Sequence, residues 1–410
     1  MVAGLVVVGI ASTGGAPPMP ANEPVIVDGQ RFGRHVDRTA SWRQAGGDLL
    51  HGFVNMYHLS IVRDPADRAY PYRGWFFGWA DDVCNTRIGH GCDMIFAARA
   101  PRITGPWEVY RGGGRWDATM NPRLWEPVLV AQNRMYDAWH NGDPSVVRLG
   151  RRWYMAYSAT GHNRDGIPFG RPGDTDSDLN CVMGAVSDDG IRWTRSRAPI
   201  LMDPANVGAP PMRPGEYLHA RGVYHRPSLR REGSVWRLWF DTFTGSDMPM
   251  VVAENRGDFL NPDDWRIVRG PDRPALANFP NPDVVRIDDV YFAYGDPGGY
   301  EPLVPSDPAL AAKMDRAWAS RKIMEAISLN GLDWAPLGYL ERDADAQANH
   351  VPAATAMREG RAHWIYLTYG AQQWGGYFYD RIRMKRRQVT AADLRTYRKL
   401  WRTLFPTARP

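Results

Sequence analysis

A short β-branched run, a turn holding Gly or Asp, and an alternating aromatic run recur five times along this chain. Such a repeat constrains the fold more than composition does, because one unit cannot bury its apolar face alone. One copy reads Asp143-Pro-Ser-Val-Val-Arg-Leu-Gly-Arg-Arg-Trp-Tyr-Met-Ala-Tyr-Ser158, and another Arg226-Pro-Ser-Leu-Arg-Arg-Glu-Gly-Ser-Val-Trp-Arg-Leu-Trp-Phe-Asp241. A third is Asn281-Pro-Asp-Val-Val-Arg-Ile-Asp-Asp-Val-Tyr-Phe-Ala-Tyr-Gly295, and a fourth runs from Val351 through Pro352 to Tyr369. A degenerate copy precedes them: His58-Leu-Ser-Ile-Val-Arg63, then Arg73-Gly-Trp-Phe-Phe-Gly-Trp79. Alternation at period two and the turn chemistry make each copy a hairpin.

The first four copies are each followed by a tryptophan segment: Gly105-Pro-Trp107, Ser187-Asp-Asp-Gly-Ile-Arg-Trp193, Asp263-Asp-Trp265 and Ser328-Leu-Asn-Gly-Leu-Asp-Trp334. In the Ser-x-Asp/Asn-Gly-x-x-Trp form, polar side chains bond back to the turn and Trp covers the hairpin. Four-stranded units with no sustained helical pattern predict an all-β, five-bladed β-propeller over residues 21–410. Tyr377 to Val389 completes the fifth blade, and Val25 to Phe32 is expected as an added outer strand. Thr390 to Phe405 reads as a short C-terminal helix with Leu394, Tyr397, Leu400, Trp401 and Leu404 on one face.

The net charge of +5 and pI near 9.1 do not describe a nucleic-acid surface. Only Lys313, Lys322, Lys385 and Lys399 are lysines, and the arginines are spread among acids. The densest basic run, Arg381 to Arg387, reads as a polar strand edge. Val2 to Ala11 is an apolar run followed by small residues and Pro17-Pro18, as at a signal peptide, and it is short for a membrane span. Residues 1–20 are therefore read as a signal peptide or disordered start, with a secreted or periplasmic address. Cys84 and Cys92 flank a short loop and suit a disulfide in that setting, with Cys181 outside the pair; two thiols are the alternative.

In a propeller blade, the start of the first strand and the end of the second meet at the same mouth of the axial funnel. The first set here is Tyr57-His58, His140-Asn141-Gly142-Asp143, His225-Arg226, Asn281-Pro282-Asp283 and Asn349-His350. The second is Asp81-Asp82, Gly161-His162-Asn163, Asp241, Asp296 to Tyr300 and Gln372-Gln373-Trp374. Most of these side chains are ionisable or carry an amide, whereas a purely structural ring would hold more Ala, Val and Gly. Tyr and Trp are abundant, which builds cores and also suits stacking on sugar rings.

At these positions the chain resembles the five-bladed glycoside hydrolases of the furanosidase superfamily, which includes families 43, 62, 32 and 117. The likeness spans most of residues 50–390 at the level of blade pattern and fixes no single family. Asp143-Pro-Ser followed by Trp153-Tyr-Met-Ala-Tyr157 is similar to the strand carrying the general base in family 43, but no Glu-Ala-Pro-like acid motif follows two blades on. An Asp, an Asp two blades later and a His on the next blade resemble family 117, which implies Asp143 as base, Asp283 as supporting carboxylate and His350 as acid. This chain departs from family 117 in placing a blade before Asp143 and in showing no clear N-terminal helical arm of that family.

That trio suits an inverting mechanism, in which one group deprotonates water and another protonates the departing oxygen. A histidine near its ordinary pKa is able to do the second task. Glu216, His225 and Asp241 are rival acids. His58, His140, His225, Arg226, Asp241, Asn281, Asp296 and Trp374 are expected to bind the substrate. No metal-ligand spacing appears and no cofactor is required; the resemblance allows a Ca²⁺ ion at the axis. Loops over Gly161 to Asn180 and Asp296 to Arg321 are long enough to wall the funnel into a pocket for a chain end. The sequence therefore points to an exo-acting hydrolase of a furanoside or unusual sugar in an oligo- or polysaccharide. A carbohydrate-binding propeller without activity, and a phosphorylase using Arg221 and Arg226, are its rivals.

Overall fold

A computed structural model describes residues 23–53, 55–79, 93–130, 132, 136–137, 140–161, 179–204, 223–244, 247–374 and 380–410. Five antiparallel sheets follow one another along the chain, each starting with the hairpin of one repeat. The first blade orders Asn55–Arg63, Tyr72–Trp79, Asp93–Ala100 and Glu108–Tyr110, with Trp116–Asp117 outside. The second begins with His140–Leu149, Arg152–Gly161 and Leu179–Ser187, and Thr194–Arg195 and Leu201–Met202 pair with its third strand. The third runs His225–Glu232, Val235–Asp241, Met250–Asn255 and Trp265–Arg269. The fourth runs Asp283–Ile287, Val290–Gly295, Ile323–Ser328 and Ala335–Leu340, and the fifth Ala346–Glu359, Ala362–Gln373 and Asp380–Val389. The first strands of successive blades touch in a closed ring, so they line the axis. This is the five-bladed propeller that the repeat predicts.

Ring closure differs from expectation. Val25–Val27 and Gln30–Phe32 do not join a blade but pair with each other around Asp28 and Gly29, both at positive φ. Asp-Gly is a strong hairpin signal, and it breaks what reads as a single strand. The outer strand of the fifth blade comes from later residues: Arg43–Gln44 pairs with Lys385 and Arg386, and Leu50–His51 with Arg381 and Ile382. The beginning of the chain thereby latches its end.

The same latch makes the run Arg381 to Arg387 interior rather than an edge. Arg387 is buried, and its guanidinium donates to Glu325 at 2.6 and 2.9 Å and to the Tyr397 hydroxyl at 3.2 Å. Tyr397 belongs to the helix Ala391–Leu404, whose Leu394, Leu400 and Trp401 are also buried against the fourth and fifth blades. Thr390 and Asp393 form a capping box at its start. Arg387→Met leaves Glu325 buried without its cation. Its unfolding free energy in urea is expected to drop by about 3–5 kcal/mol; an unchanged midpoint would show that the pair carries no weight.

The tryptophan turns also tie blades together. Ser187 accepts from the Gly190 N–H at 2.9 Å, and Asp189 from the Ile191 and Arg192 N–H groups at 2.9 and 2.8 Å. The Gly190 carbonyl then accepts from Trp193 and from Trp75 of the preceding blade. Ser328, Asn330 and Gly331 repeat the arrangement with Trp334 and Trp239. Among the described residues no helix is long and apolar enough to cross a membrane.

Candidate active site at the funnel mouth

Each axial strand carries one residue with left-handed backbone at its entrance: His58, Asp143, Arg226, Asn281 and Val351, with φ between 42° and 56°. Non-glycine residues rarely adopt this conformation. In four blades the next residue is Pro144, Pro227, Pro282 or Pro352. The ladder slips at the same place between Tyr57 and Ser60, Gly142 and Ser145, His225 and Ser228, and His350 and Ala353. A bulge of this kind bends the strand and re-aims its side chains. The bulges set Asp143 and Arg226 at equivalent places on neighbouring blades.

Two rings of hydrogen bonds fix these bulges across the seams between blades. On the mouth side, Ser158 accepts from the Arg226 N–H at 2.7 Å, Asp241 from Asn281 at 2.8 Å and Asp296 from Val351 at 3.2 Å. Two residues past each bulge lies the second ring. There Ser60 accepts from Val146 at 3.2 Å, Ser145 from Leu229 at 2.8 Å, Ser228 from Val284 at 2.8 Å and Asp283 from Ala354 at 2.5 Å. The Thr355 hydroxyl closes that circle by donating to the Ile61 carbonyl at 3.2 Å.

Asp143 sits at the centre of the mouth with no exposed surface, and neither carboxylate oxygen has a hydrogen-bond partner among the described residues. His140 Nε2 and His225 Nε2 stand 3.6 and 3.8 Å from its Oδ2. Burial alone would raise its pKa, but His140, His225 and Arg226 together hold it well below the ordinary carboxylate range. His140 in turn lies between two carboxylates, with Nδ1 2.5 Å from Asp93. Burial opposes its charge, yet Asp93 and Asp143 push its pKa up to about 9.

Asp241 behaves in the opposite way. It is fully buried, its Oδ2 is 3.5 Å from Arg226 Nη1, and its Oδ1 has no hydrogen-bond partner among the described residues. Burial pushes its pKa up to about 6, against the pull of Arg226 and the Asn281 N–H. Asp296 completes this side, bound by the Asn281 amide and 3.4 Å from Arg321.

One expectation needs correction in geometry. Asp283 does not hold His350. It replaces the serine of the seam ring, where it accepts from the Ser228 hydroxyl at 2.6 Å, and the charges that act on it include those of His58 and Arg230. The partner of His350 is Asp380, with Oδ2 3.2 Å from Nε2 and both side chains almost wholly buried. Burial raises the Asp380 pKa and His350 offsets it. Trp318 and Tyr57 close edge-on over the His350 ring at 4.9 and 5.4 Å. Trp318 lies on the short helix Arg316–Ala319, so the loop after Asp296 does reach the mouth.

His58 is buried at the bulge of the first blade and acts on Asp283, and Trp374 is half-buried just past the strand Ala362–Gln373. Asp81, Asp82, His162, Asn163, Glu216 and Arg221 fall outside the described residues, as do Cys84, Cys92 and residues 1–20. Sequence reasoning missed Asp93 and Asp380. Each is the first residue of the third strand of its blade, an end that returns to the same mouth. Their alternation signal is ordinary, so only the position could have given them away.

Among the described residues, His140, Asp143 and His225 bring three donor atoms within 4.8 Å of one another. Two imidazoles and one carboxylate do not fit Ca²⁺, which takes six to eight oxygens.

No protein-family model matches the chain, and no curated protein matches it in sequence. Solved structures do match. A family 117 glycoside hydrolase from the marine bacterium Zobellia galactanivorans has TM-score 0.52 and 11% identity, over 85% of this chain and 90% of that one. A subfamily 1 enzyme of glycoside hydrolase family 43 from Xanthomonas citri, solved with xylotriose, has TM-score 0.50 and 11% identity, over 83% and 89%. A third structure, of a glycoside hydrolase, has TM-score 0.52 and 11% identity, over 84% and 91%. The likeness is one of fold. This chain shares the five-bladed propeller on which glycoside hydrolases of families 43 and 117 are built.

Proposed function

We propose that the propeller hydrolyses a glycosidic bond at the end of an oligo- or polysaccharide, with Asp143 as general base and Asp241 as general acid. The observation that carries this reading is the divergence of two carboxyl groups in one mouth. Asp143 is held ionised, whereas Asp241 is pushed up to about 6. Environments that drive neighbouring acids apart in this way set which one gives a proton and which takes it. Asp241 replaces His350 as the proposed acid because it shares Arg226 with Asp143, whereas His350 is paired with Asp380. Arg226, between the two carboxylates, is proposed to hydrogen-bond the sugar, with His225 and Asn281 beside it.

The loop that carries Trp318 and Arg321 to the mouth supports action on a chain end. A polysaccharide substrate accords with the extracytoplasmic address read from the apolar start, and the sugar is proposed to be a furanoside or an unusual pyranoside. The decisive test is release of sugar from a panel of aryl furanosides and pyranosides, with and without phosphate. Turnover without phosphate supports hydrolysis, turnover only with phosphate makes the protein a phosphorylase, and binding without turnover makes it a lectin-like propeller. Proton NMR of the first-formed anomer is expected to show inversion. Retention would make Asp143 the nucleophile instead.

A further inference from the structure

The axial strands run past the seam ring to the opposite end of the channel, where they line a solvent-open chamber of about 520 Å³. All five contribute, and the chamber wall includes Arg63, Arg148, Arg230, Arg231, Arg286 and Arg358. The repeat itself places most of these arginines: Val-Val-Arg148, Leu-Arg-Arg231, Val-Val-Arg286 and Ile-Val-Arg63 occupy matching places in four blades. The glycosidase chemistry proposed above uses none of them.

Counter-charge at this end is short. Arg148 is paired with Asp64 at 3.0 Å. Glu232 lies 3.9 Å from Arg286 but serves Arg237 at 3.0 Å. Asp283 is held by the seam and, with Glu232, is the counter-charge that acts on Arg230, without a hydrogen bond to its Nε. Arg230 stands where the other four blades have Val62, Val147, Val285 and Thr355, so one blade alone puts a guanidinium in that layer of the wall. The Nε of Arg230 and the Nη1 of Arg231 are buried with no hydrogen-bond partner among the described residues. Buried donors without acceptors are uncommon, and a ligand is one of the few ways to satisfy them.

We propose that this chamber binds a small multivalent oxyanion, such as phosphate, sulfate or a tricarboxylate, on Arg230, Arg231 and Arg286. Guanidinium forks match the paired oxygens of such anions and hold them by charge-assisted hydrogen bonds. A ligand that binds only the folded ring also raises its stability.

The test is isothermal titration and thermal unfolding of the full chain in HEPES, with phosphate, sulfate or citrate compared with sodium chloride at equal ionic strength. A saturable rise in Tm and measurable heat are expected with at least one oxyanion. Arg231→Gln and Arg230→Gln are each expected to weaken that binding at least about tenfold, as loss of one charged hydrogen bond does. The two variants are independent, so Arg231→Gln serves if Arg230→Gln does not fold. Oxyanions acting no differently from chloride, or wild-type binding in a folded Arg231→Gln variant, would overturn the proposal. Binding is read without turnover, so its failure leaves the hydrolase reading standing, and the reverse holds too.

Discussion

Asp143→Asn is expected to cut turnover about 10²–10⁴-fold, the usual loss when a general base is removed. From the sequence, which places Asp143 at the funnel rim, the same change is expected to alter stability little. The structure implies otherwise. Asp143 is fully buried and faces His140, His225 and Arg226, so losing its charge leaves His140 with Asp93 alone and Arg226 with Asp241 as its nearest carboxylate. Breaking a buried pair from one side typically costs about 3–5 kcal/mol. The sign with pH follows from the depressed pKa of Asp143. Its contribution is present above the ordinary carboxylate range and is lost as pH falls, so the variant should lose part of the wild-type's acid sensitivity. Urea titration at several pH values checks the stability, and activity is to be measured where circular dichroism shows the variant folded. Wild-type rates in that folded variant would move the base to another carboxylate.

The blade count was legible because a propeller repeats both of its signals, the alternation of the hairpin and the Ser-x-Asp/Asn-Gly-x-x-Trp turn. Asp143, Arg226 and Asn281 were legible as a set for the same reason, since each precedes Pro and an apolar strand. The role of Asp283 was misread although the signal was present. Counted from the bulge residue, it occupies the place of Ser145 and Ser228, which hold seams. Strand position tells which end of the sheet a residue occupies. It does not tell which side of a bulge its side chain takes, and that is what separates Asp143 in the mouth from Asp283 in the seam. The carboxylates Asp93 and Asp380 escaped because the repeat marks two strand ends per blade, while a third end also reaches the funnel. Latching by Arg43–Gln44 and Leu50–His51 was invisible for a different reason: strands of two residues carry no period.

Asp241→Asn is expected to separate substrates by their leaving groups. Loss of a general acid typically costs about 10²–10⁴-fold where the departing oxygen needs a proton, so natural glycosides should be cleaved slowly. Dinitrophenyl glycosides depart without one and should react almost normally. Asparagine is the right replacement, because its amide oxygen still accepts from the Asn281 N–H and keeps the seam that Asp241 holds at 2.8 Å. The pH–rate profile gives an independent reading. Asp241 must be protonated to act, so wild-type activity on natural glycosides should fall as pH rises through about 6, the value to which burial pushes this carboxyl. That alkaline limb should vanish in Asp241→Asn. Arg226 pulls the same pKa down, and Arg226→Met should therefore move the limb to higher pH while weakening substrate binding. If both substrate classes fall equally in Asp241→Asn, and His350→Ala instead spares only the dinitrophenyl glycosides, the proton comes from His350, and Asp380 is the carboxylate that sustains its charge.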